Sequence, residues 1–187
     1  MSEKNCLDTF QAAVLASGAT FTRVESREEL AAHIAPLVSG SLLLPAFDSA
    51  TRLGLAGLLR DAGCTVIDQE LRSQAATASA GLTGANFAIA ETGTLVLEST
   101  PEDIRLASTL PEKHFVLLHP DKIVADAMDA VPLLRRFHQE QPRNYLAYIT
   151  GPSRTADIER VLTIGVHGPK ELHVLLCDQL SSDPLCM

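Results

Sequence analysis

Apolar residues recur at Leu7, Phe10, Val14 and Leu15, one face of a helix, and predict an amphipathic helix over residues 5–17 that Gly18 stops. Ser26 precedes Glu28 and Glu29, and Leu30, His33, Ile34 and Leu37 follow at helical spacing. This predicts a capped helix ending near Gly40, with His33 as an ordinary boundary histidine. The run "SLLLPAF" (41–47) reads as a buried strand, "DSATRLGLAGLLRDAG" (48–63) as a helix and "CTVID" (64–68) as a second strand. Strand, helix and strand at this spacing form a βαβ unit, so a parallel sheet is expected.

Further along, a helix is predicted from about Glu70 to Ala80. Ala88–Ala90 and Leu95–Leu97 are strand-like and flank the polar Glu91-Thr92-Gly93-Thr94, the pattern of a hairpin whose turn Gly93 permits. A short helix follows near Glu102–Leu110, a strand over 114–120, and a helical stretch over 121–140 that Pro132 kinks or divides. Residues 144–150 read as a strand, 155–163 as a short helix and 171–178 as the last strand. The succession predicts one mixed α/β domain over residues 26–187, with a helical segment, 1–25, attached in front of it.

Composition narrows the function classes. The chain has 187 residues, enough for one well-cored domain. Aromatic residues make up only 4% and tryptophan is absent, which disfavours a base-stacking binder. The net charge of -8 argues against non-specific nucleic-acid binding while leaving room for a small anion in a local pocket. The four cysteines, Cys6, Cys64, Cys177 and Cys186, have no C-x-x-C spacing and read as reduced, unrelated thiols. No apolar run approaches the roughly 20 residues that span a bilayer, and no signal peptide is evident, so a soluble cytoplasmic protein is expected.

Four segments could carry chemistry. In "AIAETGTLVLEST" (88–100), Glu91 could act as a base, and Thr92 and Thr94 offer hydroxyls where a turn exposes backbone N–H groups; a plain polar turn fits as well. In "TGPSRTADIER" (150–160), Gly151, Ser153 and Thr155 lie where a strand hands over to a helix start, a place that suits a phosphate or carboxylate. Asp157 and Glu159 would oppose an anion there, and a simple helix cap is the alternative. In "GVHGPKELH" (165–173), His167 stands between glycines and titrates near neutral pH, with Gly168 allowing close approach; a loop histidine bonded to backbone is equally consistent. In "DIRLASTLPEKH" (103–114), Arg105 and Ser108 could meet the same pocket. His167 and His173 have no third partner at a useful spacing, so no metal site is expected.

Taken together, "AETGTLVLEST" (90–100), "RLASTLPEKH" (105–114), "ITGPSRTADIE" (149–159) and "GVHGPKELHVLLCD" (165–178) resemble the LUD-domain family of lactate-utilisation proteins in order and spacing. The resemblance implies a fold like that of the CoA-transferase and ribose-phosphate isomerase group, an open, mostly parallel α/β sheet with helices on both faces. It implies a part in oxidising L-lactate to pyruvate beside two partner proteins that carry the iron–sulfur clusters. It names no cofactor for this chain and assigns no catalytic residue. Glu91 and His167 are the candidates for catalysis on physical grounds. Thr92, Gly93, Thr94, Arg105, Ser108, Gly151, Ser153, Thr155 and Gly168 are the candidates for holding a small anionic ligand. The alternatives are a free-standing enzyme acting on a phosphorylated sugar or acyl-CoA, and a non-catalytic binding or regulatory module.

Overall fold

The computed structural model describes residues 3–140, 143–155 and 163–187. The elements run α1 (Glu3–Ala16), β1 (Thr20–Val24), α2 (Arg27–Ile34), β2 (Ser41–Leu43), α3 (Asp48–Leu53), α4 (Leu55–Asp61), β3 (Thr65–Ile67), α5 (Leu71–Gln74) and β4 (Ala80–Gly84). After these come β5 (Phe87–Ile89), β6 (Thr94–Glu98), α6 (Glu102–Thr109), β7 (Lys113–Leu118), β8 (Ile123–Val124), α7 (Ala127–Glu140), β9 (Leu146–Ile149), β10 (Arg154–Thr155), β11 (Thr163–Ile164) and β12 (Glu171–Cys177).

Six strands form a parallel sheet in the order β1-β12-β7-β4-β2-β3. Its two faces are both covered. Leu43, Ile67 and Ala107 pack with α5 on one side, while Leu42, Leu59 and Leu30 join the large core on the other. The expected βαβ unit is present, with β2 and β3 in parallel register from Ser41 opposite Thr65. Its helix is divided at Gly54, whose φ of 64° ends α3 in a left-handed cap. Ser26 caps α2 as expected, its hydroxyl accepting from the Glu29 N–H.

A second sheet of four strands, β8-β5-β6-β9, holds the hairpin. β5 and β6 pair antiparallel, with Ala88 opposite Leu95. Gly93 has φ 66°, and a Cβ there would stand 2.7 Å from the Val14 nitrogen, so α1 presses directly on the turn. Phe10 and Val14 of α1 are fully buried, and β1 pairs with β12, so the first 25 residues contribute to the same core and the same sheet.

Three local expectations differ from the structure. The helix predicted over 70–80 is only α5, because Ala80–Gly84 is drawn into the sheet between β2 and β7, and that pairing outweighs helix propensity. The stretch 121–140 opens in a 3-10 turn over Pro120–Lys122 and becomes α-helical only from Ala127, because Ile123–Val124 instead extends the second sheet beside β5; Pro132 lies inside α7. The strand expected over 144–150 is present as β9, which pairs antiparallel with β6 in the second sheet. Thr155 and Thr163, the ends of the helix predicted over 155–163, pair with each other across β10 and β11. The residues between them, including Asp157 and Glu159, lie outside the described residues.

Candidate functional site

Where α6 ends against β7 and β9 runs out of the second sheet, a cleft of about 370 Å³ opens. Ser108 lines it from the last turn of α6, His114 from β7, and Tyr148 and Thr150 from the end of β9. Gly151 and Ser153 come from the loop that follows, and His167 and Gly168 from the turn before β12. The two loops are laced together: the Ser153 N–H donates to the Pro169 carbonyl at 2.9 Å, and the Gly165 N–H donates to the Ser153 carbonyl at 2.8 Å. Gly168 is needed for this approach, since a Cβ there would lie 3.0 Å from the Ser153 Cβ. Gly151 has φ 71°, and its added Cβ would meet the Ser17 carbonyl at 2.6 Å.

The structure therefore brings together Ser108, Gly151, Ser153, His167 and Gly168 of the residues singled out from sequence. The hairpin threonines reach the cleft indirectly. Thr92 and Thr94 share a hydrogen bond of 2.6 Å, and Thr94 bonds the Thr150 hydroxyl at 2.7 Å, so a chain of hydroxyls runs from the turn to the rim. Gly93 lies beneath α1, and Thr155 is in β10; neither lines the cleft.

Glu91 and Arg105 are elsewhere. Glu91 is exposed and lines a separate hollow with Thr9, Ala125, Asp126 and Asp129, where neighbouring carboxylates repel an anion. The Arg105 guanidinium donates to the Ser99 and Thr100 carbonyls, each at 2.5 Å, and lies 6.0 Å from the centre of the Tyr145 ring, which fixes the chain leaving β6.

His114 was not distinguished in the sequence, where it opens an apolar strand. Its imidazole is fully buried. Nε2 pairs with the Thr83 hydroxyl at 2.9 Å, while Nδ1 has no partner among the described residues. Burial, followed by the nearby His173, lowers its pKa from 6.5 to about 3, so the ring is neutral at physiological pH. A neutral ring with one nitrogen committed to Thr83 leaves the other to exchange a single hydrogen bond with a hydroxyl or carboxyl group. His173, stacked 4.7 Å from Phe115, is also held below its usual pKa by burial, against a 3.0 Å bond to Glu171.

A family model described as the LUD domain matches residues 7–177. The chain is 31% identical to "Lactate utilization protein C" of Deinococcus radiodurans over 183 residues, 94% of this chain and 81% of that protein. It is 42% identical to an uncharacterized protein of Neisseria meningitidis over 96 residues, 51% of this chain and 41% of that one, so this match spans less than half of that relative. The crystal structure of a DUF162 family protein from Deinococcus radiodurans superimposes with a TM-score of 0.70 at 26% identity, covering 95% of this chain and 99% of that chain.

Proposed function

The chain belongs to the LUD domain family, and from that premise we propose that it is a subunit of a lactate-utilisation system. This system oxidises L-lactate to pyruvate with iron–sulfur partner proteins, and the cleft of this subunit holds a small anionic ligand or cofactor. The observation that carries the reading is convergence: segments 105–114, 149–159 and 165–178 all contribute to one cleft, and segment 90–100 joins it through the Thr94–Thr150 bond. The relative named for lactate utilisation spans nearly the whole chain and supports the pathway.

The residues divide the work by chemistry. Ser153, and Thr150 with its oxygen accepting from Thr94, offer hydroxyl donors to carboxylate oxygens, Ser108 lines the wall with its hydroxyl donating to the Arg105 carbonyl, and the glycines at 151 and 168 let the main chain approach closely. His114 holds an unpaired Nδ1 buried in the wall of the cleft, and His167 supplies a second imidazole at the rim. Electron transfer belongs to the partners in this reading. Burial raises the thiol pKa of Cys6, Cys64 and Cys177, which keeps them protonated and poor ligands. Among the described residues no group of three or more His, Cys, Asp or Glu is placed to hold a metal ion.

The test joins growth and binding. Deleting the gene in a strain with no second copy abolishes growth on L-lactate, and the intact gene restores it. Purified protein gains thermal stability with L-lactate or pyruvate, because a ligand bound only by the folded state raises the midpoint. The double variant Ser108→Ala, His167→Ala weakens that response about tenfold or more, a loss of roughly 1.4 kcal/mol. Undiminished growth on lactate after deletion refutes the reading.

A further inference from the structure

Lys122 lies just beyond the carboxyl end of β7 and is only 2% exposed. A buried ammonium ordinarily faces a carboxylate, because an isolated charge is costly away from water. Lys122 instead donates to a main-chain carbonyl, that of Cys186, with the Asp183 and Asp48 carboxylates near enough to raise its pKa against the effect of burial. The neighbouring contacts follow the same pattern. The Asn86 amide, two residues past β4, donates to the Pro184 carbonyl at 3.0 Å, and the Ser49 N–H, beyond β2, donates to the main-chain oxygen of Met187 at 2.9 Å. The Ser49 hydroxyl is 1% exposed and has no partner among the described residues. Gly84, the last residue of β4, lets the strap lie flat, since a Cβ there would stand 2.9 Å from the Met187 Cβ. Three donors at the carboxyl ends of three parallel strands thus meet the main-chain oxygens of one segment, residues 184–187. In open parallel sheets this is the edge at which ligands bind.

We propose that Lys122, Asn86 and Ser49 form a second site, for a compact carboxylate or phosphate group, and that residues 184–187 occupy it as a displaceable strap. The main-chain oxygens of the strap stand in for the oxygens of the anion. Burial lowers the Lys122 pKa to about 8, so the ammonium persists at neutral pH, where it pairs with an anion. The site does not depend on the cleft reading, because Lys122 does not line the cleft.

The experiment uses the full chain with inorganic phosphate and L-lactate as probes. The Leu185 and Cys186 amides, which are both bonded to Asp183, exchange faster with solvent when either probe is added. Gly84→Ala, which crowds the strap without touching Lys122, binds the probe about tenfold more tightly, because the intact chain must first expel residues 184–187. Lys122→Met abolishes both effects. A response to phosphate alone assigns the site to phosphorylated ligands, and a response to lactate alone assigns it to carboxylates. Unchanged exchange in the parent chain overturns the proposal. So does binding that survives Lys122→Met, or a natively folded Gly84→Ala that binds no more tightly.

Discussion

Burial holds the His114 imidazole neutral, and this links acidity to stability. Its pKa is 6.5 when free and about 3 in the fold, so between those values the unfolded chain takes up a proton that the native chain refuses. The contribution is intact above pH 6.5 and is lost progressively as the pH falls towards 3, on the order of 4 kcal/mol in all. Urea unfolding from pH 7 to pH 3 shows that decline in the parent, and His114→Gln shows a shallower one. None of this was legible in "EKHFVLLHP", where a histidine heading an apolar strand looks like any strand edge. The hydroxyls and glycines of the cleft were legible, because Gly151, Ser153, His167 and Gly168 interrupt apolar runs. Glu91 and Arg105 stand beside such residues in the sequence, but only the pairing of β5 with β8 and the carbonyls of Ser99 and Thr100 decide where they lie.

Elements declared themselves where local signals agreed. Ser26 and Glu29 mark the start of α2: the serine hydroxyl accepts from the Glu29 N–H, and the Glu29 carboxylate accepts from the Glu25 N–H at 2.7 Å. Ser26→Ala therefore costs about 1 kcal/mol, read as a lower urea midpoint with an unchanged slope. Two strands gave no such signal. β4, "AGLTG", carries two glycines and resembles a loop, yet Gly81 is required because a Cβ there would stand 1.9 Å from the Ala107 carbonyl of α6. β1, "TFTRV", is an edge strand with one fully buried residue, Val24, too little apolar surface to announce itself.

The arrangement of strands into two sheets is a property of the whole molecule that no local window contains. The order β1-β12-β7-β4-β2-β3 joins segments 150 residues apart, with Thr20 opposite His173, a separation of about that length. Both sheets share one core, since Leu82, Phe115 and Val174 of the parallel sheet cluster with Ala88, Leu95 and Leu97 of the other. They should therefore unfold together. Leu95→Ala destabilises by roughly 2–5 kcal/mol and lowers the midpoint seen by circular dichroism and by a probe on the parallel sheet alike. Separate transitions would show two independent units. The position of β12 also has a consequence for synthesis. It fills the place between β1 and β7, and it leaves the ribosome after the other described strands. From the synthesis of Lys113–Leu118 until Glu171–Cys177 emerges, β7 has an open edge and β1 has no partner, so the nascent chain carries two adhesive borders over that interval.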